Sequence, residues 1–205
     1  MNEFCSDVRG SNPFSTSRIR PGAARFLFPR GRCAEAMVGQ LQANDWRGQI
    51  LGPHGSGKSA LVAALIPAIE QAGRRPLLIA LHDNQRRMPV DWNRLTAPGC
   101  ATVLIVDGYE QLGRWARFKL KRFCRRRRAG LLVTAHKPVG LPDLCRLTPD
   151  LGLAQKIVDQ LLGEQRSVIA PSEVAECFFR HRGNLREMLF GLYDLYEQRR
   201  RSTSA

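Results

Sequence analysis

Residues 52–59 read Gly52-Pro53-His54-Gly55-Ser56-Gly57-Lys58-Ser59, a complete G-x-x-x-x-G-K-[ST] phosphate-binding loop. Each fixed position has a physical task. The glycines let backbone N–H groups turn inward around phosphate oxygens without a Cβ in the way. Lys58 reaches the β- and γ-phosphates, and the Ser59 hydroxyl can hold Mg²⁺. The flanks match: Gln49-Ile50-Leu51 can be a short buried strand leading in. Ala60 to Ile69 reads as an apolar helix leading out, whose N-terminal dipole favours anions. All eight loop residues are candidate contacts for a nucleoside triphosphate.

The rest of the chain alternates in the same way. A helix is expected from Arg32 to Gln42, ahead of the first strand. Leu77 to Leu81, after a helix stop at Gly73, reads as a second buried strand, and Thr102 to Val106 as a third that ends on Asp107. Leu131 to Thr134 is a fourth and Leu144 to Leu147 a weaker fifth. One helix is expected from about Gln111 to Arg128. Residues 82–99 are polar and contain Pro89 and Pro98, which fits a surface loop or short helix. Strands alternating with helices imply an α/β fold with a parallel sheet covered on both faces.

Past Leu147 the pattern is purely helical. Thr148-Pro149-Asp150 reads as an N-cap, a proline at the first helical position and an acid in the first turn. Pro171-Ser172-Glu173 opens another helix. Asn184 to Glu187 is a capping-box-like start for the last, which carries Leu189, Phe190, Leu192, Tyr193 and Tyr196 at helical spacing and frays from Arg199. The expected organisation is a basic N-terminal segment at 1–45, a phosphate-loop core at 46–148, a helical lid at 149–199 and a flexible tail at 200–205.

A chain of 205 residues buries one α/β core plus a small appendage. Lysine and arginine outnumber acids 32 to 18, a net charge of +14 that points to a polyanionic partner, nucleic acid or an anionic membrane surface. With only five lysines, an arginine-rich proteome is the plainer source of that charge. The six cysteines form no C-x-x-C pair and have no histidine at metal-ligand spacing, so reduced thiols in a cytoplasmic protein are expected. No apolar signal region or membrane span is expected either.

Asp107, at the end of an apolar strand after the loop, has the placement of the acid that holds Mg²⁺ through water beside Ser59. A strand-end turn former is its ordinary reading. Glu110 is the nearest carboxylate able to polarise an attacking water. Equally, it is a helix-start acid that complements the dipole. Thr134 closes the fourth strand and is a candidate for touching the γ-phosphate or its water; otherwise it is a satisfied strand-end hydroxyl. His136 is a weaker candidate for that task.

The order of phosphate loop, Leu104-Ile105-Val106-Asp107, a strand ending in Thr134, and a helical lid with Gly183-Asn184-Leu185-Arg186-Glu187 resembles the AAA+ superfamily. It is most similar to the secretion-ATPase and transposition-ATPase branch of bacteria. Asn12-Pro13-Phe14 followed by Phe26-Leu27-Phe28 resembles the NPF-type segment that precedes the loop in the secretion ATPases. The similarity spans about residues 12 to 198. It implies an ATP- and Mg²⁺-binding core with strand order 5-1-4-3-2, Thr134 as sensor 1 and Arg186 as sensor 2. One departure is plain: where the family has a catalytic glutamate directly after the strand-end aspartate, this chain has Gly108.

Residues 111–130 hold nine Lys/Arg and no acid. On a helix, Leu112, Ala116, Leu120 and Phe123 form an apolar seam. Arg114, Arg117, Lys121, Arg125 and Arg128 run along another face, where like charges repel unless a phosphate backbone or solvent relieves them. The leading expectation is an ATPase, with hydrolysis controlling contact with nucleic acid through Arg114–Arg128 or with a protein partner, and with nucleotide-dependent homo-oligomerisation. A non-hydrolysing nucleotide-gated binding module and a small P-loop kinase are the alternatives.

Overall fold

The computed structural model describes residues 12–23, 25–29, 31–81, 86–88, 101–163 and 168–203. Five strands, β1 (Arg47–Leu51), β2 (Arg75–Ala80), β3 (Thr102–Asp107), β4 (Gly130–Ala135) and β5 (Asp143–Arg146), form one sheet in the order β2-β3-β4-β1-β5 with every pair parallel. This is the expected 5-1-4-3-2 order. β3 and β4 are central and buried on both faces, which is why they read as unbroken apolar runs rather than alternating ones. β2 lies at an edge and keeps Leu78 half exposed.

Side chains alternate across the sheet. Leu104, Val106, Leu131 and Val133 share a cluster with Leu120 and Cys124 of α4 (Arg114–Arg127). The other face also buries Val103, Ile105 and Leu132. Leu41 of α2 (Ala34–Ala43) lies beside Leu132 there, and α2 packs against α3 (Lys58–Gln71). Two elements differ from expectation. The single helix expected from Gln111 to Arg128 is a 3₁₀ turn at Tyr109–Gln111, then extended backbone at Leu112 and Gly113, then α4. Of the loop or short helix expected at 82–99, all but residues 86–88 lies outside the described residues, both prolines included.

The chain divides into two compact units: residues 28–54 with 58–148, which contain the sheet, and residues 1–27, 55–57 and 149–205. In the second unit, α1 (Thr16–Ile19) accompanies α5 (Leu151–Leu162), α6 (Pro171–Arg180) and α7 (Leu185–Thr203). Asp150, rather than Thr148, caps α5: its carboxylate accepts from Leu153 N–H at 2.7 Å. The proline therefore precedes the cap. Pro171 opens α6 as expected, and Glu173 reaches back to Ala170 N–H. α7 continues through Arg199 to Thr203, and Arg199 pairs with Glu173 of α6.

The core of this unit is Ala154, Val158, Val174, Phe178, Met188, Leu192 and Tyr196, closed by Phe14. The Asn12-Pro13-Phe14 segment has a structural explanation. Asn12 accepts from Phe14 N–H and donates to Tyr193 O and to Glu197, each at 3.0 Å, so that Phe14 is held edge-on to Tyr196. Of the described cysteines, Cys33 is exposed and Cys124, Cys145 and Cys177 are buried, all as free thiols. Cys5 and Cys100 lie outside the described residues. No helix among the described residues is long and apolar enough to cross a membrane.

Candidate functional site

In a parallel sheet all carboxyl ends share one edge, and here the winding reverses between β1 and β4. Open α/β sheets bind ligands outside the carboxyl ends at such a point. The G-x-x-x-x-G-K-[ST] loop of residues 52–59 leaves β1 there, with Gly52 N–H donating to Ala135 O at the end of β4, 3.2 Å away. Lys58 opens α3 and is buried. Its ammonium donates to Gly52 O and Pro53 O, both at 2.8 Å, inside the turn of its own loop.

Asp107 ends β3 and Thr134 lies near the end of the neighbouring β4. Thr134 is fully buried; its hydroxyl donates to Asp107 Oδ1 at 2.5 Å and accepts from Gly108 N–H at 2.9 Å. A hydroxyl has a single proton, and here it is engaged on Asp107. Thr134 is thus a satisfied strand-end hydroxyl whose partner is the candidate magnesium acid, and it sets that carboxylate's orientation.

Gly108 has a physical reason. Its φ of +82° is left-handed, and a Cβ there would meet Leu81 O at 3.0 Å. A glutamate in that position is disfavoured by the backbone itself. The turn instead delivers Glu110 to the end of β4, with Oε1 2.7 Å from His136 Nε2. His136 Nδ1 is 3.0 Å from Gly52 O and 3.5 Å from Lys58 Nζ. His54, from the loop, stacks over His136 with ring centroids 3.8 Å apart. Glu110 Oε2 is buried and makes no hydrogen bond among the described residues.

Arg117 of α4 fixes the turn from its other side. Its guanidinium donates to Glu110 O and Leu112 O, both at 2.8 Å, and lies 5.3 Å from the Tyr109 ring centroid. Lys121 donates to Val139 O, and burial, then Arg125 and Arg117, push its ammonium below the usual lysine range. Arg117 and Lys121 therefore leave the basic face on which the sequence places them. What the sequence reading missed is that Trp115 and Phe118 are exposed; their spacing off the apolar seam was the available signal.

The donors fit Mg²⁺: a carboxylate at Asp107 and a hydroxyl at Ser59 are hard oxygen ligands. Among the described residues, no cluster of three His, Cys, Asp or Glu could hold a metal by itself. That suits an ion whose remaining ligands are phosphates and water.

In the helical unit, Asn184 caps α7, its Oδ1 accepting from Arg186 and Glu187 N–H at 3.1 and 3.2 Å. Arg186 is exposed in the first turn. Gly55, at φ +67°, sits so close to Asn184 that a Cβ would fall 1.7 Å from its Oδ1. Ser56 Oγ is buried with no hydrogen-bond partner among the described residues. Comparison with protein-family models finds no match for this chain, and comparison with curated proteins finds none either.

Proposed function

We propose that this chain is an AAA+-like P-loop ATPase that binds ATP with Mg²⁺ and uses the nucleotide state to control contact with a polyanionic or protein partner. The observation that carries this reading is the complete phosphate loop leaving β1 at the switch point of the sheet, with Asp107 at the tip of β3. In this reading Lys58 leaves its loop carbonyls for the β- and γ-phosphates, and Ser59 and Asp107 hold the magnesium. The ion supplies charge neutralisation across the phosphates when bound. Glu110 orients and deprotonates the water that attacks the γ-phosphorus, and His136 positions Glu110. Thr134 acts through Asp107. Arg186, read as sensor 2, is the residue that distinguishes ATP from ADP.

Gly108 favours a second reading, a nucleotide-gated binding module without hydrolysis, because the usual glutamate position is closed by its backbone. Phosphate release from ATP, with and without DNA and beside Lys58→Ala, separates the two. Turnover above the Lys58→Ala level supports the ATPase. Binding of ATP with turnover equal to that variant supports the module.

A further inference from the structure

Helix α4 presents a face on which aromatic rings and cations are mixed. Trp115 is 75% exposed and Phe118 56% exposed, far more than the buried Trp46. The two rings meet edge to face at 6.0 Å. Lys119, Arg122, Arg125 and Arg126 follow at three- and four-residue steps from them and are all exposed, so the six side chains make one stripe. At 1.5 Å per residue the stripe is about 16 Å long. None of its four cations forms an ion pair with a described residue. Arg117 and Lys121, the helix's tethered cations, lie off the stripe, with structural partners of their own. The exposed charge and the exposed rings thus have no internal explanation.

We propose that this stripe is a binding site for single-stranded nucleic acid, with Trp115 and Phe118 stacking on bases while Lys119, Arg122, Arg125 and Arg126 take the backbone phosphates. The mixture selects this ligand. Unpaired bases offer π-faces that stack on aromatic side chains, and cations track the backbone beside them. A duplex hides those faces and would use the cations alone. A helix lying in a bilayer surface segregates its aromatics from its cations onto opposite faces. Here they share a face, and the opposite one is occupied by Leu120 and Cys124 in the core. The proposal names the partner within the ATPase reading, but it is tested without nucleotide, so either can fail alone.

The test is fluorescence anisotropy of the full chain with labelled oligo-dT, a duplex of equal length, and anionic phosphatidylserine vesicles in parallel. Oligo-dT is expected to bind more tightly than the duplex at equal salt. Trp115→Ala with Phe118→Ala should weaken oligo-dT binding about tenfold or more and leave duplex binding unchanged. Trp115→Phe should keep most of the affinity, since a ring remains. Arg122→Ser with Arg125→Ser and Arg126→Ser should weaken both nucleic acids and flatten the log–log salt slope for oligo-dT by about 2. Unchanged circular dichroism shows that these surface variants remain folded. The proposal is overturned by no binding at low salt, by equal affinities indifferent to the aromatic substitutions, or by vesicle binding that depends on Trp115 when oligo-dT binding does not.

Discussion

His136 Nε2 stands 2.7 Å from Glu110 Oε1 while Nδ1 of the same ring lies 3.0 Å from Gly52 O. One side chain after β4 thereby ties the turn after β3 to the loop after β1. Under the proposed hydrolysis, Glu110→Gln should bind ATP normally and lose about a hundredfold or more in turnover, the range of a lost general base. His136→Ala should lose less, because it positions the carboxylate rather than accepting the proton. Steady-state phosphate release with parallel ATP titration checks both. A Glu110→Gln protein as active as a working wild type would remove Glu110 from the reaction.

Gly108→Glu, which places the AAA+ superfamily's usual residue at this position, should not create an active site. With φ at +82° and Leu81 O 3.0 Å from the new Cβ, it should cost about 1–2 kcal/mol of stability. Urea unfolding gives the stability and phosphate release the activity. Higher turnover with unchanged stability would contradict the backbone explanation.

Lys58→Ala should abolish detectable ATP binding at concentrations that saturate the wild type, since it removes a charge-assisted contact to phosphate. The fold should survive with a loss of about 1 kcal/mol, because Gly52 O and Pro53 O lose a donor. A fluorescent ATP analogue and thermal melting read the two effects. Unchanged affinity would take the phosphate loop out of nucleotide binding.

Tyr109 and Cys124 set an alkaline limit on the sheet unit. Burial pushes the Tyr109 hydroxyl up from 10.0 to about 12 and the Cys124 thiol from 9.0 to about 12. Both folded values exceed the unfolded ones, so the contribution is intact below about pH 9 and lost as pH rises towards 12. Each group gives a slope of about 1.4 kcal/mol per pH unit inside its window. The Tyr109 hydroxyl is also buried without a hydrogen-bond partner among the described residues. Tyr109→Phe should therefore raise stability at neutral pH by about 1 kcal/mol and shrink the alkaline loss. Urea midpoints from pH 7 to 11 are the measurement.

Arg186→Ala should weaken ATP more than ADP if that side chain reads the γ-phosphate. Without nucleotide its stability should be unchanged or slightly raised, because a cation in the first turn of α7 opposes the helix dipole by a few tenths of a kcal/mol. Isothermal titration with both nucleotides decides; equal losses, or none, would leave Arg186 as ordinary surface.

The sheet was legible because β3 and β4 are buried on both faces and must be apolar throughout, a pattern visible in Thr102 to Val106 and Leu131 to Thr134. The turn at Gly108 was not, since a left-handed residue after a strand leaves no periodic trace. It broke the helix expected from Gln111, and with it went the direction in which Glu110 points. Of the five cations read as one face of α4, two turn out to donate to carbonyls of neighbouring segments. Charge spacing records which way a side chain leaves the helix, but not where a flexible arginine or lysine stem comes to rest.

Gly55 occupies a variable position of the G-x-x-x-x-G-K-[ST] motif, yet in this fold Asn184 claims the space that a side chain there would need. The two positions are therefore not free to drift separately. Any descendant or redesign that enlarges residue 55 must shrink residue 184 first. Glycine there, a tolerable cap, keeps α7 anchored at a penalty of a few tenths of a kcal/mol relative to Asn. A library randomised at both sites should return survivors as matched pairs, small opposite large, rather than as independent choices.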